Sequence, residues 1–418
     1  MSKKRRAPTA PLRLGTTIIK PENDVRILGV RLDRKLNWGP QLKALQGKLK
    51  SQKLALSRLM GSTWGPRLKQ ARLVYLAVIR TVLGQGAPSW HTPASQGRVR
   101  GPAVALGREQ NDSLRRVSGA FRSTPTRSLE TEMFVPPIDI WLTARVAAFK
   151  ERLEFTELGP KLAAATAAIR HRLRQRRGRR RRERQLQLPL RPTDHQKRVA
   201  LAETWLGRRG EVEKRLAEDW RARWHAQGDS GASGGPTGRP PRPADCPPTE
   251  GNLRLHQGLH KAQSAILTQI RTGHIGLPAY LRRRKVPGVE TDRCTCGLGP
   301  GSPRHRTVFC PELRAERRLL VEAVGAPLDF DQIVATPGKA QQLARWFVRF
   351  GRIKQFDLAA QLIEQHDEDR SLNGDGPPAN QGRRGRDGSA RMPGGTRAPN
   401  ARRARPPRAR RAPPPPPT

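Results

Sequence analysis

The sequence predicts a mainly α-helical fold, broken into separate units along the chain. Three observations predict it. Apolar residues recur every three or four positions in several stretches, the pattern of amphipathic helices. One short stretch, 25–33, carries a strand-like alternation. Between the helical stretches lie segments too rich in Gly, Pro and Arg to order themselves: the 418 residues include 39 Gly and 38 Pro, and only 35% are hydrophobic.

Taken in order, residues 1–24 read as a disordered basic lead-in. In Val25-Arg-Ile-Leu-Gly-Val-Arg-Leu-Asp33, Val25, Ile27 and Val30 suit a strand and Gly29 marks a bend. Asn37-Trp38-Gly39-Pro40 opens a helix with Leu42, Leu45, Leu49, Leu56 and Leu59 on one face, and Gly61 stops it. Lys43, Lys48, Lys50 and Lys53 fall elsewhere around it. A second helix runs from Pro66 to Val82, with Leu68, Ala71, Tyr75, Val78 and Val82 inward; the short link predicts an antiparallel pair. Helices resume at about 104–118 and 138–156, which closes a first region, 25–156. An Arg-rich helical segment follows over 157–226, in which Val212, Leu216, Trp220 and Trp224 are spaced by four. A Gly/Pro linker covers 227–251. In the last folded region, 252–365, one helix carries Leu255, Leu259, Ala262, Ile266 and Ile270 inward and stops at Gly273. A cysteine-containing loop and helices at about 312–323 and 338–365 come next. Residues 366–418 read as a disordered tail; from 371 on it holds eleven Arg, eleven Pro and two acids.

The chain carries 81 Lys+Arg against 35 Asp+Glu, a formal net charge of +46. That is about one net positive charge per nine residues, and it predicts polyanionic partners, RNA or DNA before membrane. No run of about 18 apolar residues exists to span a bilayer. The basic start is followed by Ala-Pro-Thr-Ala-Pro rather than an apolar segment, so it does not read as a secretory signal. These features predict a nuclear protein or a cytoplasmic ribonucleoprotein. Residues 170–184 hold ten arginines, among them Arg176, Arg177, Arg179, Arg180, Arg181 and Arg182, with no apolar face to bury. Arginine pairs bidentately with phosphate, so this run predicts nucleic-acid contact; a targeting signal or a solvated linker is the other reading.

Four cysteines exclude a disulfide scaffold. Three of them form Cys294-Thr-Cys296…His305…Cys310, a C-x-C-x8-H-x4-C spacing. Three thiolates and an imidazole complete a closed tetrahedral Zn²⁺ set, which makes the predicted ion structural. C-x-C is tighter than the usual C-x2-C, and three unrelated thiols in a basic loop remain the other reading. Trp205, Trp220 and Trp224 among arginines suit either base stacking or a core. Asp329-Phe330-Asp331 reads as a helix-entry or turn feature rather than a metal site. The sequence shows no Gly-Lys-Ser/Thr phosphate loop and no Gly-x-Ser-x-Gly elbow, and neither tyrosine is followed by the aspartates that a two-metal polymerase site uses. No catalytic residue is assigned.

Several segments, in collinear order, resemble one family. Val25–Asp33 followed by Lys35-Leu36-Asn37-Trp38 resembles the region after the catalytic palm of LINE-type, non-LTR retrotransposon reverse transcriptases, with Leu28 and Gly29 at the primer-grip hairpin. The helix pair at 41–83 resembles the thumb. Gly84-Gln-Gly86-Ala-Pro-Ser-Trp90 is similar to that family's Tyr-Gly-x-x-x-Trp segment, with Gln85 in place of the tyrosine. Gln110–Pro125, Leu255–Ala262 and Leu267–Gly276 resemble the fungal branch, and the Cys294/Cys296/His305/Cys310 group resembles its C-terminal zinc knuckle. The resemblance covers about half the chain. It implies that Leu28, Gly29, Lys43 and Lys50 meet a nucleic-acid backbone and that the knuckle holds zinc. It also implies that the palm, with its catalytic aspartates, lies before Val25. The family activity is RNA-directed DNA polymerisation, often with a ribonuclease H, for which 157–250 offers no acidic set. The expectation is a non-catalytic, nucleic-acid-binding C-terminal part of such a polyprotein; the alternatives are the distal part of an active enzyme and a decayed copy without function.

Overall fold

The computed structural model describes residues 11–92, 101–154, 211–231 and 247–362, with isolated residues between 156 and 168 and at 365. All lie in one compact unit, Met1–Glu368. The fold is mainly helical, as predicted. The arginine run and the tail lie outside the described residues.

Two small hairpins come first. β1 (Leu12–Leu14) pairs antiparallel with β2 (Thr17–Ile19) around Gly15, whose φ is +60°. For residues 12–19 this corrects the reading of 1–24 as lacking structure, while 1–10 lie outside the described residues: Leu-Arg-Leu and Thr-Ile-Ile flank a turn glycine, and β-branched residues favour the pleat. β3 (Asp24–Ile27) and β4 (Val30–Asp33) form the second hairpin in the register Val25↔Leu32, Arg26↔Arg31, Ile27↔Val30. Leu28 (φ 47°) and Gly29 (φ 84°) are its two turn residues. Paired positive φ values suit the right-handed twist of a tight hairpin, so the expected bent strand is two strands.

The Asp33 carboxylate accepts the backbone N–H groups of Asn37 (3.0 Å) and Trp38 (2.7 Å), which folds the chain into α1 (Gly39–Leu59). Leu45, Leu49 and Leu56 are buried as their spacing predicts, whereas Leu59, at the helix end, is exposed. α2 (Leu68–Val74) runs through a π-helical turn, Tyr75–Ile79, into α3 (Arg80–Leu83). The wide turn adds one residue to the repeat. Beyond Tyr75 the buried positions are therefore Ile79 and Leu83, not the expected Val78 and Val82. Next come α4 (Ala87–Trp90), α5 (Pro102–Ser118), α6 (Thr126–Glu132) and α7 (Ile138–Glu154). Leu45, Leu49, Tyr75, Leu106, Leu114 and Leu129 belong to the core they share.

α8 (Glu211–Gly231) lies on α7. Trp220 is buried against Phe134, and Arg223 grips Asp139 with two bonds, of 2.7 and 2.5 Å. The Arg127 guanidinium covers the Trp224 ring at 4.1 Å. Trp220 is thus core rather than a base platform; Trp205 lies outside the described residues. α8 also continues past 227, where the linker was expected to begin.

Then follow α9 (Gly251–Arg254), α10 (Lys261–Thr272), α11 (Pro278–Arg283), α12 (Arg314–Val324), α13 (Phe330–Ala335) and α14 (Pro337–Phe350), and the second core draws on α10, α12, α13, α14 and the turns beside them. α10 is buried on every side. It starts after His260, so Leu255 and Leu259 pack from the preceding turns rather than from its face. Asp329 caps α13 by accepting the N–H of Asp331 at 2.9 Å, so that feature is a helix entry. The helix expected over 338–365 breaks at Gly351-Arg352, where Arg352 has a φ of 47°.

A buried polar seam joins the two cores. Glu132 accepts Arg271 Nε at 2.7 Å and lies 3.1 Å from His256 Nε2, all three nearly sealed from solvent. Arg271 also donates to the Val334 carbonyl at 2.5 Å, and Asn252 Nδ2 donates to that of Thr131 at 3.1 Å. Burial alone would raise the Glu132 carboxyl; Arg271 and His256 bring it below its ordinary value. Lys261 Nζ donates to the last carbonyls of α5, Arg116 (2.9 Å) and Val117. Gly119 ends that helix with φ 72°, and a Cβ there would stand 2.5 Å from that of Ala265, so the glycine lets α10 approach.

Candidate metal centre and basic cleft

The metal-binding group is assembled from a tight turn and a π-helical turn. Cys294 N–H donates to the Gly299 carbonyl (2.8 Å) and Gly297 N–H to that of Cys294 (2.9 Å). Gly297, with φ 74°, closes the turn that brings Cys296 back beside Cys294. His305 opens the π-helical turn His305–Phe309, and Cys310 follows it, its N–H bonded to the His305 carbonyl at 2.8 Å. Ser302 Oγ accepts the His305 N–H at 3.2 Å.

The four side chains predicted from the spacing converge. Their ligand atoms all lie within 4.8 Å of one another, a cluster that can hold a metal ion. Cys294 Sγ is 3.8 Å from Cys310 Sγ, and Cys296 Sγ is 3.2 Å from His305 Nε2. Two thiolates on a tetrahedral zinc with bonds of about 2.3 Å stand about 3.8 Å apart. A Cβ on Gly299 would lie 2.5 Å from His305 Nδ1, so this glycine leaves room for the ring.

The thiols influence one another. Burial pushes Cys310 up to about 11, helped by the neighbouring Cys294 and Cys296. Burial also works to raise Cys294, but the N–H and thiol of Cys296 and the Cys310 thiol bring it below its ordinary value. Burial, then Arg306 and Arg317, lower His305 below its ordinary value. One buried pocket does not favour three thiolates without a cation, and a divalent ion would supply that charge.

Two arginines the sequence reading did not single out frame the loop. Arg317, on α12, donates through Nε to the Thr307 carbonyl (2.9 Å) and through Nη2 to that of Cys310. Arg306 is buried and donates to the Gly351 carbonyl. Nothing in local spacing marks them, because their acceptors are backbone atoms.

The second constellation lies at the β3–β4 hairpin. Arg26, Gly29, Arg31, Gln41, Lys48 and Gln85 are among the residues lining a cleft of about 150 Å³. Arg26 and Arg31 stand directly opposite each other across the hairpin, a like-charge pairing that destabilises a strand pair. Asp24 offsets part of this with a 2.7 Å bond to Arg31. Lys48 reaches in from α1 and donates to Gln85 Oε1 at 2.8 Å. Gln85 sits between two glycines with packing roles: a Cβ on Gly86 would lie 2.6 Å from Val30 of the hairpin, and one on Gly84 2.7 Å from Trp141.

Of the predicted nucleic-acid contacts, Gly29 lines this cleft and Leu28 stands fully exposed at the hairpin tip. Lys43 and Lys50 are exposed on α1 but do not line the cleft. Arg176, Arg177 and Arg179 to Arg182 lie outside the described residues. Arg26, Arg31 and Lys48 were not singled out as contacts. A two-residue turn at 28–29 implies the Arg26–Arg31 pair, so that signal was present. No described helix is long and apolar enough to cross a membrane. The chain matches no protein-family model, no curated protein and no solved structure.

Proposed function

We propose that this chain binds RNA or DNA through its phosphate backbone, as the C-terminal, non-catalytic part of a LINE-type retrotransposon reverse transcriptase. The observation that carries the binding is the convergence of Arg26, Arg31 and Lys48 on one cleft beside Gly29, in a chain of net charge +46. Three cations with one carboxylate nearby favour an anion, and Gly29 admits a backbone close to its own. The family assignment rests on the collinear sequence resemblance, and the cleft falls where that resemblance puts the primer grip. In this reading the Cys294/Cys296/His305/Cys310 cluster holds one structural Zn²⁺, and the protein acts in the nucleus or in a cytoplasmic ribonucleoprotein.

The test measures binding of single-stranded RNA and duplex DNA by the full chain across a salt series. Arg26→Ala with Arg31→Ala is expected to flatten the log–log salt dependence by about 1.4 for single strands and about 1.8 for duplex. An unchanged slope removes the cleft from the interface. Template-dependent primer extension by the purified chain with Mg²⁺ would overturn the non-catalytic reading.

A further inference from the structure

α11 ends in four consecutive cations, Arg282, Arg283, Arg284 and Lys285, all exposed. One or two basic residues in a last turn complement a helix dipole; four exceed that need. Arg283 is engaged locally, with its guanidinium over the Tyr280 ring at 5.4 Å. Among the described residues, Arg282, Arg284 and Lys285 have no acidic partner. Lys285, with φ 53°, turns the chain at the helix end and spreads this charge over an exposed corner.

The corner is held from both sides. On one side the Ala279 N–H donates to the Gly301 carbonyl at 3.2 Å, and a Cβ on Gly301 would lie 2.8 Å from the Pro278 ring. The start of α11 thus rests directly on the metal loop, whose own closure includes the 2.7 Å bond from Gly301 N–H to the Asp292 carbonyl. On the other side Tyr280 stacks on Phe121 with centroids 5.9 Å apart, and its hydroxyl bonds to Ser123 and lies 3.1 Å from His274 Nδ1. Mutually repelling charges fixed on a rigid element suit a polyanion with regularly spaced charges.

We propose that Arg282, Arg284 and Lys285 form a phosphodiester-binding surface held in place by the metal loop, so that binding through it depends on the metal. This rests on the nucleic-acid reading above and adds a second contact, distinct from the hairpin cleft and coupled to the ion.

The experiment uses the full chain and measures RNA and duplex-DNA affinity across a salt series. It compares the wild type, R282A/R284A/K285A and a charge-matched surface control, R254A/R314A/R318A. Circular dichroism confirms that all three fold alike. The triple variant is expected to flatten the salt slope by about 2 for single-stranded RNA and about 2.7 for duplex DNA, and the control by less than half as much. Chelating the metal from the wild type should produce the same flattening, reversed by added Zn²⁺, and should change the triple variant no further. A triple variant matching the wild type or the control overturns the proposal. So does metal removal that weakens wild type and triple variant by the same factor. Failure of the wild type to bind either nucleic acid overturns the underlying functional reading instead.

Discussion

The helices around Leu49 and Tyr75 and the loop from Arg293 to Cys310 are held by different forces. In the first region, packed apolar side chains from several helices exclude water, and each buried leucine contributes roughly 1.5–3 kcal/mol by leaving it. The loop has little apolar surface to bury, and Leu298 and Phe309 point outward. Its ordered contacts are turn hydrogen bonds, the bonds made by Arg306 and Arg317, the α11 bond to Gly301, and the meeting of three thiols with an imidazole. A core of the first kind tolerates the loss of one contact. With an ion bound, a site of the second kind would depend on all four ligands together, because each thiolate would need that ion to balance its charge.

The largest effect should come from removing that ion. Structural zinc in zinc-finger peptides couples to folding by roughly 10–16 kcal/mol. Cys310→Ser, or chelation, should therefore take bound zinc from about one equivalent per chain to none. It should also strip hydrogen-exchange protection from the Cys294 and Cys310 amides. The amides around Leu49 and Tyr75 should stay protected. If they exchange as fast as the loop does, the two regions are not held separately and the contrast fails.

The seam sets how far that separation extends. Arg271→Ala would leave the fully buried Glu132 without its guanidinium partner. Breaking a buried ion pair from one side costs about 3–5 kcal/mol. Because Arg271 also binds the Val334 carbonyl, both cores should lose stability in a single urea transition. Two separate transitions in the wild type would show instead that the cores unfold independently.

The same contrast explains what could be read from sequence. The α1 face and the four metal ligands depend on residues a few positions apart, and spacing reveals those, whereas the bend read at Gly29 only hints at the hairpin turn there. The shift from Val78 to Ile79 was hidden, because a π-helical turn breaks the repeat without any Gly or Pro to announce it. The seam was hidden for another reason. Glu132 and Arg271 are 139 positions apart, and each looks like an ordinary surface charge until the fold buries it. The basic cleft falls between these cases: the Arg26–Arg31 pair follows from the hairpin, whereas Lys48 joins it only through tertiary packing.

A pH series sharpens the account of the first core. Glu130 is sealed within it, and burial raises its carboxyl to about 8, against the pull of Gln110. In the unfolded chain the group ionises near its ordinary value of 4.5. Between these values the folded protein holds a proton at Glu130 that the unfolded chain has released, so the contribution of Glu130 to stability falls as pH rises from about 4.5 to 8, by a few kcal/mol. His91, lowered by burial to about 4, and Lys261, lowered by burial to about 7, contribute with the opposite sign. Glu130→Gln should remove that slope and keep the Gln110 contact. If the difference in urea midpoint between the wild type and Glu130→Gln stays constant over this interval, Glu130 is ionised in the fold.

The smallest stability effect is expected at Leu28, where binding and folding can be separated. Its side chain is fully exposed at the tip of the second hairpin, so Leu28→Ala removes no buried surface. Substitutions of that kind change stability by within about 0.5 kcal/mol. The positive φ of residue 28 is retained by alanine at a cost similar to that of leucine, so the turn should persist. A weaker affinity for RNA or duplex DNA with an unchanged urea midpoint would mean that Leu28 packs against the ligand. An unchanged affinity would confine the interface to the cationic side chains, and a lowered midpoint would mean that the leucine is covered in solution.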